Sequence, residues 1–418
     1  MSAAFRCALM LALAVGGARA QEVSPAFALV DEVAQKIETR CFYPVKPGAI
    51  YEGVLASAHK RSGDETAPDY GLRGLPAEAA SAGFRVALQT LAERPGQRLD
   101  IMELAETGLS DYCRTIDHWS RYYTSQDTAR IEQFQKADSI GIGVNLREEG
   151  GAIFCHPFPE SQASLAGITS GDKLLSVDGR PVEGRPLELI AAWIKGVPGT
   201  QTKLRVEKTT GRSQLITALR EALKMPSVII EKDLTGTLMK IRFFEKDTAA
   251  QMAAGLKGQP AGRRLTLDLR GCIGGYMHAA IEVARLVVPP GQRILSHVER
   301  GAPREDFIST EPSLKPGSIA ILQDESSASA AEILIAALVE TMPKQVISRG
   351  EQSHGKGVVQ EEIKLSGGGF LRLTTGMVFG PSGRSWDGPG LRPSFSPDGP
   401  VDIFSPNAPT VPGDGAAK

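Results

Sequence analysis

The sequence predicts a multidomain α/β fold: a helical N-terminal region, a small domain of short strands, and an α/β core with a β-rich C-terminal part. Three observations lead there. Residues 24–135 carry helical apolar periodicity, in runs such as AFALVDEVAQKIETRCF and EAASAGFRVALQTLAE, broken by polar stretches. From about residue 139, short apolar strands separated by Gly and Pro fill the length of one small domain. From about residue 225, strand-like and helix-like segments alternate, the pattern of parallel strands joined by helices. A chain of 418 residues also exceeds what one hydrophobic core usually sustains.

The first twenty residues stand apart. MSAAFR holds the only early charge, CALMLALAVGG is apolar but short for a bilayer span, and ARA fits a cleavage site before Gln21. Residues 1–20 therefore read as a signal peptide, and the mature chain as periplasmic or secreted. The helical region covers 21–136, with RSGDETAPDYGLRGLPAE (61–78) as a surface excursion between helices. The small domain spans 137–212 and the core 213–395. In the core, TLMKIRFF, RRLTLDLR, SIAILQD and KQVISRG read as strands, alternating with helices in TAAQMAAGLKG, MHAAIEVARLVV and SAAEILIAALVETM. GVVQEEIKL and FLRLTTGMVF follow as strands paired across SGGG (366–369). The Pro/Gly-rich tail, 396–418, has too little periodicity to fold alone and reads as extended or disordered.

With 47 basic against 48 acidic residues there is no net field for a polyanion, which argues against nucleic acid as a partner. No later segment approaches ~20 uninterrupted apolar residues, so no integral membrane segment is expected once the signal is removed. Cys41, Cys113, Cys155 and Cys272 remain, at spacings foreign to a zinc site. An oxidising compartment permits disulfides, and Cys41 with Cys113, both in the N-terminal region, is the pair this reading joins.

Chemistry concentrates in ESSASAAEI (325–333), a strand-to-helix corner crowded with serines. A serine nucleophile needs a base to take its proton. Of the six histidines only His354 lies in a plausible catalytic loop, SHGKGVVQ (353–360), and no G-x-S-x-G elbow occurs. Lys356 shares that loop and can act as base where desolvation lowers its pKa from ~10.4. Gly355 and Gly357 allow close packing around it, Val358 and Val359 supply apolar surroundings, and Gln360 can orient the amine. Rival readings are Ser329 as a helix cap, a Ser329–His354 pair, and Cys272 as a thiol nucleophile. GEQSHGKG (350–357) nearly spells a P-loop, but Gly357 replaces the Ser/Thr and a strand-like segment follows. Asp268 and Arg270 read as a structural ion pair.

Two resemblances sharpen this. SLAGITSGDKLLSVDGRPV (164–182) is similar to a PDZ domain, whose carboxylate-binding loop is then Gly141, Ile142 and Gly143 with their flanking Ile140 and Val144. PDZ domains capture an extended C-terminus by adding it to a sheet edge. Ser329 in SASAAE, and Lys356 and Gln360 in GKGVVQ, resemble the signature of the C-terminal-processing, or tail-specific, proteases. The resemblance runs over roughly residues 25–395 and takes in DHWSRYYT (117–124), LDLRGCIGG (267–275) and RLTTGMVFGPSGRSWDGPGLRP (372–393). It implies a ClpP/crotonase-like core, with Ser329 as nucleophile, Lys356 as general base and Gln360 positioning Lys356.

The corner itself agrees, because a hydroxyl at the carboxyl end of a parallel strand faces the region where open α/β sheets bind ligands. The helix that opens near Ala330 has unpaired N–H groups there, so Ala330 is one expected oxyanion donor. Gly274 and Gly275 are both candidates for the second. The chain departs from the family where Cys272 and Ile273 replace a polar residue and a proline or glycine, and where Ser353 and His354 replace Thr-Phe. The expected function is a serine endopeptidase acting on protein or peptide substrates with accessible C-termini, with no metal or organic cofactor implied. The helical region is the candidate surface for a homodimer. The alternative is a non-catalytic PDZ scaffold with a silenced core.

Overall fold

Short side chains at helix contacts and alternating burial along strands account for most of the architecture. The computed structural model describes residues 24–63, 66–94, 99–135, 140–158, 161–222, 227–232, 234, 236–257, 262–310, 314–396 and 399–411; the expected signal peptide lies outside them. The chain forms two compact units: Met1–Thr39, Pro44–Met225 and Glu361–Leu373 in the first, and Arg40–Tyr43, Pro226–Gln360 and Thr374–Lys418 in the second.

The first unit opens with α1 (Pro25–Arg40), α2 (Pro47–Arg61), α3 (Ala77–Ala92) and α4 (Ile101–Ile116). On α1 the buried stripe is Ala26, Val30, Val33, Ala34 and Ile37, a helical spacing that turns one face inward. Asp100 starts α4 by accepting the N–H groups of Met102 and Glu103 at 2.8 and 2.9 Å. Gly108 lets α4 approach α2, since a Cβ there would stand 2.6 Å from the Val54 carbonyl oxygen. The stretch 61–78 is more than a surface excursion. Glu52 on α2 accepts the N–H groups of Tyr70 and Leu72 at 2.7 and 2.8 Å, and Leu72 is buried.

After β1 (Arg121–Tyr123) and α5 (Ser125–Gln135) comes the small domain: β2 (Ile140–Gly141), β3 (Val144–Glu149), β4 (Ala152–Pro157), α6 (Gln162–Leu165), β5 (Asp172–Val177), β6 (Arg180–Pro181), α7 (Leu187–Ile194), β7 (Gln201–Glu207), β8 (Ser213–Leu219) and β9 (Glu221–Ala222). Its sheet runs β3-β4-β5-β7-β8, all neighbours antiparallel, with β6 on β5. Thr202, Leu204 and Val206 face inward on β7 while Gln201, Lys203 and Arg205 face out, the alternation of a half-buried sheet. Ile142, Leu174, Val177, Ile190 and Trp193 build its core. Gly141 ends β2, which pairs with β9, and Gly143 turns the chain at φ 74°, so the sheet edge begins at Val144.

Also within this unit, β1 pairs antiparallel with Phe370–Arg372. Tyr123 stacks on Phe370 with centroids 4.2 Å apart, and its hydroxyl donates to Glu188 in the first turn of α7 at 2.5 Å. Arg372 bonds Glu188 with one guanidinium nitrogen and Glu362 with another.

The second unit holds β10 (Val228–Lys232), β11 (Gly236–Ile241), α8 (Thr248–Leu256), β12 (Arg264–Asp268), α9 (Met277–Arg285), β13 (Arg293–Glu299), β14 (Glu305–Ile308), β15 (Ser318–Gln323), α10 (Ala330–Thr341), β16 (Val346–Gly350), β19 (Phe395–Ser396) and β20 (Gly399–Pro400), with the start of β17 (Val358–Lys364) and the end of β18 (Phe370–Phe379), whose other residues belong to the first. Its main sheet runs β10-β11-β12-β15-β16, parallel from β11 onward. Every residue of α10 from Ala330 to Val339 is buried, all of them apolar except Glu332. The β13–β14 hairpin was not foreseen; β13 also pairs with the end of β18.

Two further expectations are corrected. The tail is ordered over 399–411, where Phe404 is fully buried and Arg384 meets Asp402 at 2.7 Å, because a few apolar residues find cover on a core formed elsewhere. Cys41 and Cys113 do not join; both are buried thiols. Cys113 lies on the packed face of α4 in the first unit, whereas the Cys41 carbonyl accepts from Arg300 at 3.0 Å in the second.

Arg372→Met should lower the unfolding free energy by about 2 kcal/mol through the loss of charge-assisted hydrogen bonds, and Tyr123→Phe by less. Urea titration checks this, with a shifted midpoint and an unchanged slope expected.

Candidate active site

Each serine in the corner between β15 and α10 has a different task. Ser326 donates its N–H to Asp324 at 3.0 Å. Ser327 is fully buried and spends its hydroxyl on structure, donating to the Leu269 carbonyl and accepting the Asp324 N–H, both at 2.9 Å. Ser329 is half-buried immediately before α10, at φ 55° and ψ −113°. That conformation is costly for a residue with a Cβ, by about 1–3 kcal/mol, and makes a sharp strand-to-helix turn without a G-x-S-x-G motif.

The loop after β12 lies against this corner. The Ala328 N–H donates to the Cys272 carbonyl at 2.9 Å. Gly274 sits at φ 99°, and a Cβ there would stand 2.8 Å from the Ser329 Cβ and 3.0 Å from the Ala330 nitrogen. Only glycine permits that approach. The Gly274 carbonyl accepts the Phe244 N–H at 2.8 Å. Burial pushes the Cys272 thiol up to about 12, so it stays protonated and inert, against a thiolate nucleophile. Asp268 and Arg270 form a two-pronged pair at 2.8 and 2.9 Å, with Arg270 exposed, as a structural pair would.

The lysine loop is held from both sides. Glu332, in the first turn of α10, is fully buried and gathers four donors: the Ser329 N–H at 2.8 Å, the Ser353 hydroxyl at 2.6 Å, the Gly355 N–H at 2.6 Å and the Lys356 N–H at 2.9 Å. The backbones of Ser329 and Lys356 thus share one carboxylate oxygen. Ser353 in turn exchanges hydrogen bonds with Leu391, and the His354 N–H donates to the Ser327 carbonyl at 2.9 Å. Burial raises the Glu332 carboxyl to about 7, against the opposing pull of the Ser353 hydroxyl and the Gly355, Lys356 and Ser329 N–H groups.

Ser329, Ala330, Gly274 and the Lys356 backbone are therefore brought together in one unit, with Gly275 following Gly274 at φ 142°. Gln360 lies half-buried on β17, the strand that rules out the helix a P-loop needs. Gly141, Ile142 and Gly143 belong to the small domain of the other unit. Glu332 is the functional residue that sequence reading passed over, although S-x-x-E across Ser329–Glu332 is a capping-box signal.

Comparison with known proteins agrees with this geometry. Residues 237–396 match peptidase family S41, and residues 159–208 match the PDZ domain. Over 237–396 the chain thus resembles peptidase family S41, and the segment ahead of it resembles a PDZ domain. A probable CtpA-like serine protease of Staphylococcus epidermidis is 28% identical over 286 residues, 67% of this chain and 57% of that protein. Its counterpart in Staphylococcus saprophyticus is 27% identical over 312 residues, 73% and 63% of the two chains. The matched region thus spans less than two thirds of these relatives. Among solved structures, a photosystem II D1 C-terminal processing protease shares the fold at a TM-score of 0.65 and 20% identity, covering 91% of this chain and 94% of that one.

Ser329→Gly should unfold with a free energy about 1 kcal/mol higher than Ser329→Ala, because glycine tolerates positive φ. Equal values would mean the turn stores no strain. Glu332 carries a pH signature. Its folded value lies above the ordinary 4.5, so its contribution to stability is complete below about 4.5 and is lost as pH rises through about 7. Relative to Glu332→Gln, the wild type should lose stability over that window and change no further above it, as urea titrations from about pH 4 to about pH 8 would record.

Proposed function

We propose that the chain is a serine endopeptidase in which Ser329 attacks the peptide carbonyl, Lys356 takes its proton and Gln360 orients the lysine amine. The observation that carries the reading is the shared Glu332 oxygen, which ties the Ser329 corner to the Lys356 loop. The Ser329 Oγ forms the new bond to carbon as its proton passes to neutral Lys356; the resulting ammonium returns a proton to the leaving amine, and water then releases the acyl group.

For the developing oxyanion, Ala330 supplies one N–H at the start of α10. Gly275 supplies the second. Because the Gly274 carbonyl points to the Phe244 N–H, the trans peptide turns the Gly275 N–H the opposite way.

Substrate capture belongs to the PDZ domain. Among the described residues β3 pairs with β4 alone, so its other edge offers N–H and C=O groups to an extended C-terminus, with the turn at Ile142 and Gly143 receiving the carboxylate. In this reading the mature enzyme works outside the cytoplasm, after removal of residues 1–20.

Ser329→Ala and Lys356→Ala should each abolish cleavage of an unstructured protein while the fold persists, and the double variant should be scarcely worse than either. Full cleavage by Lys356→Ala would remove the dyad and leave His354 as base. A wild type that binds tails yet cleaves nothing would leave a PDZ scaffold. Free-acid, amidated and Asp-Asp-ended versions of one substrate should be cleaved at descending rates, with the free acid fastest; equal rates would assign specificity to the cleft instead.

A further inference from the structure

The Lys356 backbone is gripped by a turn that sequence reading left without a task. The Trp386 indole N–H donates to the Lys356 carbonyl at 3.1 Å, and the Gly357 N–H donates to Asp387 Oδ1 at 3.1 Å. Together with Glu332 on the Lys356 N–H, every polar group of the two peptide units bounding the Lys356 Cα, apart from the Gly355 carbonyl, is met by a side chain. That remaining carbonyl accepts the Gly388 N–H at 2.9 Å, from the same turn. The contact is close. A Cβ at Gly355 would stand 2.4 Å from the Gly388 carbonyl oxygen, and one at Gly357 would stand 2.8 Å from the Ser385 hydroxyl and the Asp387 nitrogen. Trp386 is 1% exposed and Ser385 fully buried, so the start of the turn is anchored in the core.

We propose that Trp386 and Asp387 are positioning residues for the Lys356 amine. A lysine side chain swings through four rotatable bonds, and the region its amine reaches is set by the Cα–Cβ direction. That direction is fixed by the two flanking peptide planes. With both planes clamped, the amine is delivered to the Ser329 side from a defined origin, and less ordering is left for the reaction step. Glu332 alone would hold the preceding plane and leave the Cα–Cβ bond free to swing about φ of Lys356. Trp386 and Asp387 hold the second.

This rests on Lys356 being the general base, and the experiment separates the two. Steady-state cleavage and the rate of Ser329 labelling by a fluorophosphonate probe are measured for the wild type, Lys356→Ala, Trp386→Phe, Asp387→Ala and Asp387→Asn. Trp386→Phe keeps the ring and deletes the donor, so kcat and the labelling rate should fall together by about tenfold, with KM unchanged. Asp387→Ala should lose a similar factor, and Asp387→Asn should recover most of it because its amide oxygen can still accept the Gly357 N–H. Wild-type kcat and labelling in Trp386→Phe and Asp387→Ala, or a loss confined to KM, would overturn the proposal. Should Asp387→Ala fail to fold, Trp386→Phe decides by itself. Undiminished cleavage by Lys356→Ala would instead remove the catalytic reading, and this inference with it.

Discussion

The Glu332 carboxylate takes hydrogen bonds from the Ser329 N–H, the Ser353 hydroxyl and the N–H groups of Gly355 and Lys356, and the arrangement of the whole site depends on that convergence. Placing a carboxylate in the interior is unfavourable by several kcal/mol unless donors replace its water. Here four donors offset that cost in part, burial still raising the carboxyl to about 7, and the first turn of α10 adds the favourable end of the helix dipole. The consequence runs outward. Removing any one donor would leave the others facing an under-satisfied charge, so the serine corner and the lysine loop cannot relax independently.

The strained Ser329 belongs to the same scheme. Its positive φ persists because the peptide on its N-terminal side is bound to Glu332 and the space beside its Cβ is cleared by Gly274. A side chain at Gly274 would push on Ser329, and a relaxed Ser329 would swing the hydroxyl out of the corner. Strain at Ser329 and a missing side chain opposite it are two parts of one device.

Local periodicity made much of this fold legible. The alternation that yields β11, β12, β15 and β16 is written in short apolar runs, and α10 is apolar without a break from Ile333 to Val339. The corner residues Ser329 and Ala330 and the loop residues Gly274 and Lys356 were legible as types in order along the chain. What stayed hidden depends on contacts between segments far apart in sequence. β13 carries Arg293, Ser296, His297 and Glu299 and lacks a clean apolar alternation, because its partner β18 supplies the cover. Trp386 and Asp387 look like any turn until Lys356 is found beneath them. Phe404 sits in a Pro/Gly-rich stretch with no periodicity of its own.

The edge of β3 has a consequence for solubility. A strand left with open N–H and C=O groups invites any other strand, including that of a second copy, to extend the sheet. β3 is six residues long and ends in Arg147, Glu148 and Glu149. Arg114 and Arg121 both bond Glu148, and Arg147 bonds Glu149, so charge is concentrated where a longer intruding strand would have to continue. A short guest that stops near Val144 fits within the uncharged beginning of the strand. A sheet edge from another folded protein, stiff and longer than the opening, would meet the ion pairs and have to strip their water. The same six residues can therefore welcome a chain end and discourage aggregation.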